Sequence, residues 1–400
     1  MTKNLVKSRI LTAGLLVTGV LTVAAGVSAG GLASAASKKL SPYLVGVPMP
    51  MTGAEAEAGT QIYNAEAMAA QFINQHGGVL GHQIKLLEQD DACDAGTAVN
   101  AANLLVSKGV QAYVGGYCSG ATLPVEPIIA RAGIPYVMPA ANSPELTTGG
   151  YRNVFLIDPS GSGDGLEAAA FFKQQHITKV FVIDDQSSFG VAIAQSAANA
   201  IKANGGTVVA GGIQSIPATS NDFSAVISQI KSSGATGIYW SGYFSQAAQF
   251  ATQLNAAGVI GPNGTAKFVV ADGSVDATYI TGAGAAANGT YATIAALASG
   301  VGNVLGSNAD KAFNRAYVKQ FHAQPGPYSA FGYDAIMALA LAAKHVKSIV
   351  PKRVIAGLHA LHFVGLTGKI SFATNGNRLG AVMDLLEVVN GKYTLAHPQP

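Results

Sequence analysis

Cys93, Cys118 and the serine that follows the second of them, Ser119, are the residues of this chain whose types and spacing most plainly carry chemistry. Each cysteine follows a short apolar run, in DDACDAGTAV and in YVGGYCSGAT. They are the only two cysteines. In an oxidising compartment they would pair, and they lack the C-x-x-C spacing of a redox motif, so the bridge reads as structural. It would close a loop of about 26 residues and stabilise by roughly 3–3.5 kcal/mol. Ser119 then falls at the mouth of a strand-to-helix turn, where a hydroxyl and exposed N–H groups can receive an anion. A plain helix cap is compatible with that role. No G-x-S-x-G elbow surrounds it, which argues against a serine nucleophile. Asp90 and Asp91 form a carboxylate pair that could do acid–base work; strand-end acids fixing the cysteine loop is the simpler reading. The histidines are scattered, and the one close pair, His359 and His362, has no cysteine or carboxylate arrangement around it, so no metal is expected. The glycine clusters at 161–165 and 282–289 lack both a Walker Lys-Ser/Thr and the strand–GxGxxG–helix context. No cofactor is expected, and no enzymatic chemistry.

The compartment follows from the first 35 residues. Lys3, Lys7 and Arg9 precede an almost wholly apolar or small stretch over 10–27, and Ala33-Ser34-Ala35 supplies a cleavage site. That is the pattern of a secretory signal peptide over residues 1–35; an uncleaved anchor is the alternative, since the stretch is near spanning length. Neither cysteine lies near the cleavage site, which argues against a lipid anchor. The protein is expected to be exported, periplasmic or extracellular, and soluble after cleavage. The three leader cations account for the formal net charge of +3. Without a basic surplus there is no electrostatic footprint for nucleic acid. Charged residues are 11% of the chain, well below the usual quarter or so.

Elements that could position these residues alternate along the chain. Apolar runs at 44–47, 84–87, 112–114 and 136–138 read as strands, with helical patterns at 59–75, 97–107 and 122–131 between them. A second block repeats the rhythm: strands at 180–183, 207–209, 237–240 and 268–271, helices at 191–203, 223–232 and 245–256. This is the signature of parallel sheets flanked by helices, in which ligands bind beyond the carboxyl ends of strands. After about residue 300 the pattern turns helix-rich (309–321, 328–346, 352–361) and ends in a hairpin over 382–395 whose Asn390-Gly391 is a strong turn signal. That third section must complete the earlier blocks, so the chain should cross between two lobes more than once. Such a molecule closes around ligand by hinge motion.

Read together, the segments VGVPMPMTG, AEAMAAQFINQHGGVLGHQIKL, DDACDAGTAVNAANLLV, GGYCSGAT, IPYVMPAANSPELT, VIDDQSSFG, IYWSGY and FGYDAIMAL resemble, in order and spacing, the branched-chain (leucine/isoleucine/valine) amino acid substrate-binding proteins of ABC transporters, a type I periplasmic binding protein family. The resemblance covers essentially the whole mature chain. It implies two Rossmann-like α/β lobes with parallel sheets, joined by a multi-crossing hinge: residues 42–157 plus 297–368 in lobe 1, and 158–296 plus 369–400 in lobe 2. It implies an interlobe cleft in which Ser119 holds the ligand's carboxylate, while a backbone carbonyl at Ala140 and the side chain of Asn142 accept from its ammonium. Tyr243 and Asp272 would close on it from the second lobe, with Tyr328 and Phe189 as aromatic contacts. It implies a monomer that hands an amino acid, or a close analogue, to a membrane permease. Taken singly, Asn142 could cap its own backbone, Asp272 could be a solvated loop acid, and the aromatics could be core residues.

The chain departs from the family's pattern at four places. Ala58 stands where an aromatic lid residue is frequent, Asn142 where threonine is usual, Asp272 where glutamate is common, and Phe189 where tyrosine is common. A pocket without the lid aromatic is larger, and an aspartate reaches one methylene less far. The departures widen the possible ligands to an amide or an aromatic acid, and a ligand-sensing module that reports to a receptor is a second role open to the same fold.

Overall fold

The run YLVGVPM at Tyr43–Met49 (β1) is buried along nearly its whole length, as a parallel strand covered on both faces must be. A computed structural model describes residues 40–295 and 308–396; the expected export leader lies outside the described residues. In the first lobe β1 is joined by β2 (Ile84–Asp90), β3 (Ala112–Val114), β4 (Tyr136–Met138) and β5 (Val154–Leu156), in the order β2-β1-β3-β4-β5, all parallel. The helices between them are α1 (Ala56–Gln75), α2 (Ala95–Ser107), α3 (Ser119–Thr122) and α4 (Glu126–Ala132). The single helix expected over 122–131 is instead broken, with a 3-10 turn at Leu123–Val125 between α3 and α4. Pro124 and Pro127 lack the N–H groups that a continuous helix would use there.

The second lobe starts with α5 (Ser162–Gln174), which leads into β6 (Lys179–Asp184), α6 (Ser188–Ala203), β7 (Thr207–Val208), β8 (Gln214–Ser215), α7 (Ser224–Ser233), β9 (Gly237–Ser241), α8 (Phe244–Ala256), β10 (Lys267–Val270), α9 (Ala277–Ala283) and β11 (Thr290–Ala295). The chain then supplies α10 (Asn308–Phe321), α11 (Ser329–His345), α12 (Pro351–His359) and a small hairpin, β12 (Phe363–Gly365) and β13 (Gly368–Ile370). It ends with β14 (Met383–Val389) and β15 (Lys392–Leu395). The second sheet runs β15-β14-β11-β10-β9-β6-β7, with β8 also on β6; β14 and β15 are antiparallel additions at its edge. The late helices belong to the first lobe: Gly332 on α11 lies so close to Ile62 on α1 that a Cβ would sit 2.9 Å from the isoleucine side chain. Among the described residues, no helix is long and apolar enough to cross a membrane.

Two of the crossings between lobes bond to each other. Ser160 N–H donates to Asn377 Oδ1 at 3.0 Å, and the Arg378 guanidinium donates to Ile157 O at 2.9 Å. Leu156 N–H also bonds Gly376 O at 3.0 Å. Arg378 is itself buried and spends its remaining donors on Thr367 and Lys369 oxygens. A planar guanidinium with five donors suits this task of tying several carbonyls at a joint.

Candidate functional site

The turn after β3 brings the chain under the cleft at the first lobe. Gly115 has φ +151, and a Cβ there would meet Pro48 O at 2.4 Å, so only glycine fits so close to the end of β1. Tyr117 and Cys118 follow. Cys118 is bonded to Cys93 with Cα atoms 5.4 Å apart, as expected from the sequence. Asp90 and Asp91 hold the other side of that bridge: their carboxylates accept from the N–H groups of Ala92 and Cys93, both of which sit in the left-handed region. They are loop-fixing acids, as the simpler reading has it.

Ser119 opens α3 and is fully buried. Its Oγ accepts from Ser143 N–H at 3.2 Å, and its backbone acts on the Tyr243 hydroxyl of the opposite lobe, opposing the rise that burial gives it. The helix it begins has only four residues, so its dipole is small. What the site offers an anion is the hydroxyl and the start of the turn, since the N–H groups of Ala121 and Thr122 are spent on Cys118 O at 3.0 Å. After β4, Ala140 and Asn142 are both buried, and Gly161 N–H bonds Asn142 O at 2.8 Å.

Beyond β10 stands Asp272, only 1% exposed, which removes the reading of a solvated loop acid. Asn142 Nδ2 donates to Asp272 Oδ2 at 2.7 Å and to Asp158 Oδ2 at 3.1 Å. Asp158, at the end of β5, and Asp164, in the first turn of α5, are as deeply buried. Three carboxyl groups that close together in a dry site cannot all ionise. Burial, then the Asp272 charge, hold Asp158 and Asp164 well above the ordinary range. Burial also raises Asp272, while bonds from Asn142, Gly273 N–H and Tyr328 oppose it and leave it at about 6. Of the three, Asp272 receives the most donors and is held least far above the ordinary range. Four oxygens of this network have no partner in the structure: Asn142 Oδ1, Asp158 Oδ1, Asp164 Oδ2 and Asp272 Oδ1; the proton that Asp158 retains can bond to Asp272. One ammonium carries three N–H donors.

An aromatic row crosses the cleft. The Tyr117 ring centroid is 5.7 Å from those of both Tyr328 and Tyr243, and Phe189 stacks on Tyr243 at 5.2 Å. Tyr243 precedes α8 and Phe189 lies in the first turn of α6. The structure thus brings Ser119, Ala140, Asn142, Tyr243, Asp272, Tyr328 and Phe189 to the carboxyl ends of β3, β4, β6, β9 and β10 and the start of α11. The position of Ala58 is buried in α1.

Sequence reasoning did not find Tyr117, Asp158, Asp164 or Glu55. Glu55 precedes α1 and is 5% exposed, with Oε2 buried and unpartnered. The available signal was position: Asp158 follows the apolar run VFLI, and Tyr117 stands between the glycine pair and Cys118.

The model of the family described as periplasmic binding protein matches residues 42–392. The leucine-specific-binding protein of Salmonella typhimurium is 28% identical over 360 residues, which cover 90% of this chain and 94% of the relative. The leucine-, isoleucine-, valine-, threonine-, and alanine-binding protein of Pseudomonas aeruginosa is 28% identical over 338 residues, 82% of this chain and 85% of that one. Among solved structures, the branched-chain amino acid transporter substrate binding protein of Streptococcus pneumoniae in complex with isoleucine superposes with a TM-score of 0.78 at 25% identity. That match covers 89% of this chain and 99% of the other.

Proposed function

This chain belongs to the periplasmic binding protein family, and from that premise we propose that it is an exported solute-binding protein that captures an α-amino acid between its lobes and delivers it to an ABC importer in the membrane. The observation that carries the ligand class is the set of donor-free oxygens on Asn142 and Asp272. A buried acceptor without a donor costs about 1–3 kcal/mol, and an ammonium seated beside Asn142 and Asp272 would supply donors to both. The carboxylate end would rest on Ser119 and the start of its turn. Ala140 would add a backbone carbonyl to the ammonium's shell.

Closure follows from the division of labour. Ser119, Ala140 and Asn142 belong to the first lobe and Tyr243 and Asp272 to the second, so a ligand that touches both sets favours the closed state by its differential affinity. In this reading Tyr328 and Phe189 line the cleft, and the chain works as a monomer without nucleic acid. It carries out no covalent chemistry; its relatives bear the names of binding proteins.

Calorimetry on ligand-stripped protein tests the class. Leucine, valine, alanine and threonine would be compared with 4-methylpentanoate, benzoate and a small amide. Micromolar or tighter binding confined to the α-amino acids is the expected result. Binding of the deaminated acids or the amide alone would remove the ammonium from the account.

A further inference from the structure

Resting on the α-amino acid reading, we propose that the cleft has a second polar pole, built on Glu55 and backed by Asp185 and Asp276, which takes an N–H-bearing group (an ammonium, a guanidinium or a primary amide) at the end of the ligand remote from its α-ammonium. Glu55 is thereby a specificity-determining residue, and the ligand is a polar amino acid rather than a purely aliphatic one.

Different acids dominate at different members of the aromatic row. Of the acids around it, Asp272 and Asp158 act most strongly on the Tyr328 hydroxyl, whereas Glu55 acts most strongly on Tyr117, and Asp185 and Glu55 on Tyr243. The second pole also spans both lobes. Glu57, two residues beyond Glu55, accepts from Thr278 Oγ1 of the second lobe at 2.8 Å. Thr278 N–H in turn caps on Asp276, at 2.7 Å. The beginnings of α1 and α9 therefore meet across the cleft, and their acids meet with them.

Asp185 and Asp276 have local work. Asp185 Oδ1 accepts from Ser187 N–H at 2.9 Å, and Asp276 caps α9. Glu55 does not: it stands at the N-cap position of α1 without bonding the helix through its side chain. Its Oε2 is buried without a donor. The charged groups that act on it, Asp276 and then Asp185, are both acids, and with burial they raise its pKa to about 8. An isolated buried carboxyl among acids is costly to keep unless something brings a donor to it. An aliphatic ligand side chain brings none. Ala58, one turn along α1, puts a small side chain where the family often has a lid aromatic.

The test titrates ligand-stripped protein with norleucine, glutamine, ornithine and lysine, in the native chain and in Glu55→Gln. Glutamine separates the amide source from the cationic one. We expect at least one of the three N–H-bearing ligands to bind tenfold or more tighter than norleucine. In Glu55→Gln that preference should fall to within threefold, with the circular dichroism native. A native chain that binds norleucine as tightly as the other three overturns this inference and leaves the α-amino acid reading standing. So does a preference that survives Glu55→Gln. No binding of any of the four overturns both.

Discussion

Asp272→Asn is expected to weaken α-amino acid binding thirtyfold or more, about 2 kcal/mol, because it removes the carboxylate proposed to face the ammonium, the one of the buried trio whose pKa is raised least. The shape is kept, so the loss reports charge and not collapse. Asp158→Asn should cost less than about fivefold, since Asp158 holds its proton and an amide can still donate to Asp272. Equal losses in the two variants would contradict the assignment of charge. The same asymmetry fixes a pH dependence. Asp272 has its folded-state pKa raised from 3.8 to about 6. In the unliganded protein its contribution to stability is therefore fully present below about pH 4 and is lost as pH rises through 6. Ligand binding has the opposite sign, because an ammonium needs the ionised form. Affinity should be level above about pH 7 and fall about tenfold between pH 7 and pH 5. An affinity that stays flat over that interval would mean that the charge opposite the ammonium is not Asp272.

Removing the disulfide by the double change Cys93→Ser and Cys118→Ser is expected to destabilise the protein by about 3 kcal/mol, given a separation of 25 residues between the partners. The loss should extend to ligand. Cys118 immediately precedes Ser119, whose Oγ and backbone act on Ser143 and Tyr243, so a slack turn loosens both the carboxylate site and one contact between lobes. Denaturant unfolding with and without a saturating amino acid separates the two effects. A stability loss under 1 kcal/mol with unchanged affinity would show that Asp90 and Asp91, through their backbone bonds to Ala92 and Cys93, hold the loop unaided.

The parts of this molecule that were legible in the sequence share one property: an apolar run with a proposed site residue a few positions after it. The strands over 112–114 and 136–138 fall where β3 and β4 do, and Ser119, Ala140 and Asn142 follow them within a few residues. Asp272 likewise trails β10. Asp158 escaped because β5 is only three residues long and is followed by Pro159 and Gly161, which read as loop. The helix that carries Asp164 was hidden by Gly163 and Gly165 at its start; Gly165 is required there, since a Cβ would sit 2.4 Å from the backbone of Ala197 on α6. Glu55 escaped for a different reason. In AEAEAG it looks like one of the acids that decorate a solvated helix start, and only the fold of the second lobe over it makes it buried. The family resemblance located positions, whereas tertiary burial decided which acids are held above the ordinary range.

The most direct test of the central claim is a crystal structure of the mature protein with its tightest-binding α-amino acid. The account predicts the ligand nitrogen within about 3 Å of oxygens from Asn142 and Asp272, taking the place of the direct bond between those two side chains, with the ligand carboxylate on Ser119. A ligand lying the other way round, or seated outside the cleft with the Asn142–Asp272 bond intact, would contradict it.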